Sequence, residues 1–276
     1  MSSARQASTP SVKLSPPANK LREDQEPFLA VRSLATNYAS GYRIERHQHS
    51  WHQLLFASSG AMTVSAPEAS WMIPTGRAVF VPARSPHAIR MWGSVEMRTL
   101  YFSPSLTSFE SQTCYVLEVS PLLRELILRA VELSGLDSRT APDTLMIGLL
   151  MAEVGAEEVK AANAAVAESP LMLPMPTDER AMALARHILD RPSAEDTVDE
   201  LAQQYSVARR TLERRFRDET GMSFGMWRQK ARLLDSIRML AEGTSVTETA
   251  LDCGYSSVSA FIAAFKGTFG YTPGRL

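Results

Sequence analysis

The chain has 276 residues, 45% of them hydrophobic and 21% charged, with a net charge of −1. That length accommodates two domains of ordinary size, and the balance is that of a soluble globular protein. A near-zero charge excludes a molecule held to nucleic acid or membrane by its overall field. No run approaches the ~18 apolar residues of a membrane span. Two distant cysteines, Cys114 and Cys253, exclude a disulfide framework and suit a reducing cytoplasm.

The first segment, MSSARQASTPSVKLSPPANK, lacks the apolar core of a secretory signal. Residues 1–27 read as a flexible arm, rich in Ser, Pro and Ala. From 28 to 105 short apolar runs (QLLFASSG, AMTVSAP, SWMIPTG, RAVFVPARSPH) are broken by turn residues. Turns recurring about every 8–12 residues predict an antiparallel sandwich or barrel. Pro67, Pro74, Pro82, Pro86 and Gly76 interrupt any helical period there.

The pattern changes after Pro104. PLLRELILRAVEL (121–133) and APDTLMIGLLMAEVGAEEVKAA (141–162) carry apolar residues at helical spacing. Two helices trailing a small β domain need a partner for their apolar faces. Residues 106–162 are therefore expected to form a helical dimerisation segment. The Ala- and Pro-rich stretch 163–177 reads as a linker, and 178–276 as a wholly helical domain.

Within that domain, Thr197 and Glu200 have capping-box spacing, Ser206 is expected to cap a second helix, and Gly221 to end it. Leu212 and Phe216, four apart, face inward. Arg209, Arg210, Arg214, Arg215 and Arg217 project elsewhere, with Glu213 the one acid among them. A short helix, a turn and an arginine-crowded helix is a helix-turn-helix plan. Residues 176–276 hold 14 Lys/Arg and 14 Asp/Glu, so the charge is concentrated rather than general. The plan returns at 246–265, with Phe261 and Phe265 inward, and a long helix (223–243) joins the two copies.

The stretches ELAQQYSVARRTLERRFRDETGMSF, KARLLDSIRML and VTETALDCGYSSVSAFIAAFKGTFGYTP closely resemble the AraC/XylS DNA-binding domain. The closing FxxxFKxxFGxTP is specific to it. The resemblance implies base contacts from Arg210, Glu213 and Arg214. In the second unit the resemblance places Val258, Ser259 and Ile262 or Ala263 at the matching positions; that helix is poor in hydrogen-bonding groups, with Lys266 its only cation, so it is expected to contribute shape, methyl contacts and phosphate contacts from Ser256 and Ser257.

Residues 35–95 resemble a cupin, the small β-barrel common in this family. Gly41, His47, His49, Gln53 and Gly60 match its first motif, with Gln where Glu is usual. Gly76, Pro82 and His87 match the second, with Arg84 where Gly is usual and Met91 where Asn is usual. His47 and His49, two apart on a strand, share a face that Gln53 keeps and His52 does not. With His87 they offer a three-nitrogen cage suited to a divalent transition metal. Three readings stand: a metal site, a metal-free pocket of hydrogen-bonding imidazoles, and inert structural histidines. Trp51, Phe56, Met62, Trp71, Phe80 and Trp92 are candidate walls for an uncharged aromatic effector.

The whole is an α+β two-domain fold, a cupin-like barrel with trailing helices followed by a double helix-turn-helix domain. The resemblance implies a ligand-responsive regulator and not an enzyme. Its partners are promoter DNA, a small-molecule effector, RNA polymerase and a second copy of the chain. A tethered metal-cupin oxygenase or isomerase is the rival reading, and a constitutive DNA-binding dimer a third. HxHxxxQLL with the following Trp and Pro-His pattern looks like the subgroup that controls exporters of small toxic compounds.

Overall fold

A computed structural model describes residues 28–106, 109–163, 169–192, 194 and 196–275. The N-terminal arm lies outside the described residues. Seven strands open the fold: β1 (Leu29–Tyr38), β2 (Arg43–His47), β3 (His52–Ser65), β4 (Ala69–Pro74), β5 (Arg77–Val81), β6 (His87–Phe102) and β7 (Tyr115–Glu118). Helix α1 (Pro121–Glu132), strand β8 (Gly135–Asp137) and helix α2 (Ala141–Asn163) complete the first domain.

Two long strands organise the sheet. One half of β6 lies beside β1 and the other beside β2, while β3 pairs with β6, β5 and β4 in turn. The sheet therefore rolls over itself and encloses a core of Leu55, Ala57, Met62, Val64, Trp71, Val79, Met91 and their neighbours. A register shift between Ala57 and Ala61 lets β3 do this. An extra residue reverses which parity faces inward. Before it, odd residues (Gln53, Leu55, Ala57) point into the barrel and Leu54 and Phe56 point out against α1 and α2. After it, Met62 and Val64 point in, and Thr63 and Ser65 face the other way.

The expected linker is in part a strand. Beyond residues 164–168, which lie outside the described residues, β9 (Met172–Pro174) pairs with β4. Leu171, Leu173 and Met175 are buried in the core of the second domain. Proline bars a helix here but not an edge strand, because Pro174 needs no ladder donor there.

The second domain is helical: α3 (Glu179–Asp190), α4 (Val198–Gln204), α5 (Arg209–Thr220), α6 (Phe224–Ala241), α7 (Val246–Asp252) and α8 (Val258–Phe269), closed by a 3-10 turn at Pro273–Arg275. Both short helices start with a complete capping box, Thr197 with Glu200 in α4 and Ser245 with Glu248 in α7. Trp227 is fully buried against Phe216, and its indole N–H donates to the Pro174 carbonyl at 2.7 Å. Helix α6 also packs on β3, β4 and β6. Gly93, with φ of 68°, is a point of closest approach, since a Cβ there would lie 2.3 Å from the Ala241 carbonyl oxygen.

Candidate functional site

Two strand ends and a loop gather the histidines. His47 closes β2 and stands opposite His87, the first residue of β6, while His49 lies in the loop before β3. The rings of His47 and His87 are 4.3 Å apart, those of His49 and His87 5.2 Å, and one nitrogen from each of the three lies within 4.8 Å of the others. His52 points away, stacked on Phe80.

The tautomers follow from the partners. Nδ1 of His47 meets the Glu45 carbonyl at 2.9 Å, that of His49 the Trp51 carbonyl at 2.6 Å, and that of His87 the Ser85 carbonyl at 2.9 Å. A carbonyl only accepts, so each Nδ1 holds the proton, and Nε2 of His47 and of His87 presents a lone pair. His87 Nε2 is buried with no hydrogen-bond partner. His49 Nε2 lies 2.9 Å from the Gln53 amide, whose other end is 3.1 Å from the Tyr101 hydroxyl. The Gln53 oxygen faces His49, and the Gln53 amide nitrogen donates to the Tyr101 hydroxyl.

Burial dominates the electrostatics. It drives the pKa of His87 down to about 3, against the opposing Ser85 hydrogen bond and helped by His47 and His49. It also lowers His47, and it pushes the Tyr101 phenol up. His47 and His87 are thus neutral near pH 7, the state in which imidazole binds a metal. Metal–nitrogen lengths of about 2.0–2.1 Å put two ligands of one ion at most about 4.2 Å apart. Side-chain rotations of roughly half an ångström would close the cluster to that size, so the donor set fits a transition metal, with Nδ1 partners of the kind that orient metal-bound histidines.

Arg84, where the cupin pattern has glycine, adopts a left-handed φ of 65°, and its amide donates to the His49 carbonyl at 2.8 Å. The glycine-like backbone is retained by a residue that strains to hold it, at about 1–2 kcal/mol, and the loop is pinned beside the cluster.

The aromatic candidates do not form one pocket. Trp71 fills the barrel core, whereas Phe56 and Phe80 face α1 and α2 because of the strand parity already described. Trp92 lies on the opposite surface, between Arg90 and Arg238 at 4.0 and 5.3 Å. Trp51 alone adjoins the histidines, through its carbonyl, with the buried Arg32 at 5.1 Å from its ring. Spacing suggested strands for most of these residues but could not reveal the bulge that sorts them, and Trp51 lies in the bend just before β3.

In the helical domain, α5 divides its arginines. Arg209 pairs with Asp199 and Glu213, and Arg215 with Asp178 and Glu219. Arg210, Arg214 and Arg217 are exposed and make no ion pair among the described residues. They fall four and three apart, on one stripe. Glu213 is held by Arg209 at 3.1 Å. Ser206 does not cap α5: its φ is 52°, and Ala208 stands at the cap with no side-chain bond. The turn instead repeats that of the second unit, where Gly254 has φ of 79° and Tyr255 N–H donates to Ala250 as Val207 N–H does to Ala202. In the second unit Ser257 caps α8 by accepting from Ala260, while Ser256, Ser259 and Lys266 are exposed. No helix among the described residues is long and apolar enough to cross a membrane.

An AraC-type barrel that gathers three histidines, joined to paired helix-turn-helix units, defines a ligand-responsive, DNA-binding transcription regulator. Residues 30–150 match an AraC-like ligand binding domain and 201–276 a helix-turn-helix domain. The HTH-type transcriptional regulator NimR of Escherichia coli K12 is 30% identical over 229 residues, spanning 83% of this chain and 80% of that protein. RipA of Corynebacterium glutamicum, another HTH-type regulator, is 32% identical over 100 residues, 36% of this chain and 30% of its own. Among solved structures, Vibrio cholerae ToxT aligns over 89% of this chain and 97% of its own at 13% identity, with a TM-score of 0.38. The chain belongs to the AraC family of transcriptional regulators.

Proposed function

We propose that His47, His49 and His87 form the sensory centre of this regulator and hold a divalent transition metal ion through one ring nitrogen each, Gln53 giving up its contact with His49. The observation that carries the reading is that one ring nitrogen from each of the three histidines lies within 4.8 Å of the others, in rings whose Nδ1 atoms all face backbone carbonyls. A bound metal would supply a Lewis-acidic centre with positions open to a donor atom of an effector. Gln53, the amide beside His49, takes up no proton, which favours sensing over turnover. Titration of metal-stripped protein with zinc or nickel tests this. One ion per chain is expected, and the His87→Ala variant should lose it. A metal-free pocket predicts no stoichiometric binding.

DNA reading falls to the Arg210, Arg214 and Arg217 stripe of α5, with Ser256 in the turn before α8 and Ser259 and Lys266 within α8 supporting it by phosphate contacts. Helix α6 joins the two units; its 18 residues span about 27 Å, which suits successive major-groove faces about 34 Å apart. The regulator acts as a homodimer on promoter DNA in the cytoplasm, together with RNA polymerase. Of the seven large apolar side chains left exposed among the described residues, five (Leu122, Leu133, Leu145, Leu149 and Val159) lie on or beside α1 and α2. That concentration favours a second copy as the partner of this face.

A further inference from the structure

The reading stripe of α5 carries one acid, set among its arginines. Arg210, Glu213, Arg214 and Arg217 fall at i, i+3, i+4 and i+7, and all four are exposed. The guanidinium groups only donate, so Glu213 is the one acceptor of the stripe. A carboxylate on a surface that faces phosphates is repelled by them unless it meets a donor. The major groove supplies one in the cytosine N4 amino group, which a glutamate accepts and an arginine cannot.

Arg209 holds that acid. Its Nε donates to Glu213 Oε1 at 3.1 Å, one turn along α5, and its Nη1 donates to Asp199 Oδ2 of α4, also at 3.1 Å. One planar fork thus ties the first helix of the unit to the acid on the second. Helical spacing alone offers Glu213 a different partner, Arg217, four residues ahead and in the more favourable order for a helix pair. That pairing would take an arginine out of the stripe. Held by Arg209 instead, Glu213 makes no other hydrogen bond or ion pair among the described residues, and Arg217 stays unpaired.

The second unit shows that the fold does not require this clamp. By helix position, Thr247, Val258 and Ile262 stand where Asp199, Arg209 and Glu213 do. All three charges are missing together, and the inward pair Phe261 and Phe265 is buried as Leu212 and Phe216 are. Exposed ion pairs of this kind also contribute little to stability.

We infer that Arg209 is a positioning residue for DNA reading: it sets sequence preference by holding Glu213 toward a cytosine amino group, and makes no contact with the duplex itself. The inference rests on α5 as the reading helix. Because α4 supplies Asp199, both helices of the unit act on one base position.

The test is selection of duplexes from a random-sequence pool by the full chain, then affinity measurement on the selected duplex over a range of salt. The natural chain is expected to require cytosine at one position, and Glu213→Ala to lower that discrimination about fivefold or more. Arg209→Gln and Asp199→Ala, which open the clamp from either helix, should each remove most of it at the same position. In the Glu213→Ala background, Arg209→Gln should change nothing further there. The salt slope should hold steady in Arg209→Gln, whereas one lost phosphate contact would lower it by about 0.9. All three sites are exposed, so the variants are expected to fold, which cooperative thermal unfolding verifies. A slope lowered by that amount, with all sequences weakened alike, makes Arg209 a phosphate contact and overturns the inference. So does a folded clamp variant that keeps the cytosine preference, or an Arg209→Gln effect on that preference that persists without Glu213. Arg214→Ala separates the two levels. If it too leaves the selected sequence unchanged, the reading of α5 falls and the inference with it; if it relaxes its own position while the clamp variants relax none, only the inference falls.

Discussion

Acid should weaken the metal-free protein through His87. The imidazole has no exposed surface, its Nε2 has no partner, and its pKa stands near 3. In the unfolded chain the same group titrates near 6.5. Below pH 6.5 the unfolded state takes up a proton that the folded state refuses, so stability is complete above that pH and falls as the medium is acidified. The loss is about 1.4 kcal/mol per pH unit down to about pH 3, or about 2 kcal/mol at pH 5. Burial lowers His47 and His52 in the same direction and adds to the slope. The assay is urea unfolding in the presence of a chelator, at about pH 7.5 and about pH 5, for the natural chain and for His87→Gln. The variant carries a constant penalty, but the gap between the two proteins should narrow by about 2 kcal/mol in acid. A gap of the same size at both pH values would refute the assignment of this proton to His87.

Gly93→Ala sets a Cβ 2.3 Å from the Ala241 oxygen and forces a left-handed φ on alanine. It should cost roughly 2–4 kcal/mol and loosen the domain interface, read as faster proteolysis between residues 163 and 177. Arg214→Ala should weaken promoter binding by about 1–3 kcal/mol and relax one base position, whereas Arg215→Ala, already paired within the domain, should leave the sequence preference intact; footprinting of both separates them. Leu145→Glu combined with Leu149→Glu should shift the chain toward monomer in sedimentation, because both residues lie on the exposed apolar face of α2.

The helix-turn-helix units were legible because their signals are local. A capping box, a tight turn and an inward pair four apart lie within twenty residues and need no distant partner. Ser206 misled for the same reason: a serine before a helix resembles a cap, and only the turn geometry shows it in the position that Gly254 holds in the repeat. The histidine cluster was legible as a set, from strand parity and motif spacing. Its tautomers were not, because they depend on three carbonyls supplied by neighbouring backbone. The aromatic walls dispersed because one bulge in β3 reverses the inward parity, and a bulge leaves little trace in composition. Strand β9 was hidden by its prolines, which exclude a helix and say nothing of an edge pairing.

That edge pairing changes what kind of machine the chain can be. A loose tether would let the helical domain sample orientations freely and let an effector act by tightening or slackening it. Here the connecting segment is hydrogen-bonded to the barrel, Met72 N–H to Leu171 and Met175 N–H to Glu68, within a few residues of the start of α3. Reorienting the DNA-reading helices then requires either sliding a short strand along β4 or peeling it away. Both are discrete events with a barrier, so the response to a signal should resemble a latch being thrown rather than a spring being stretched.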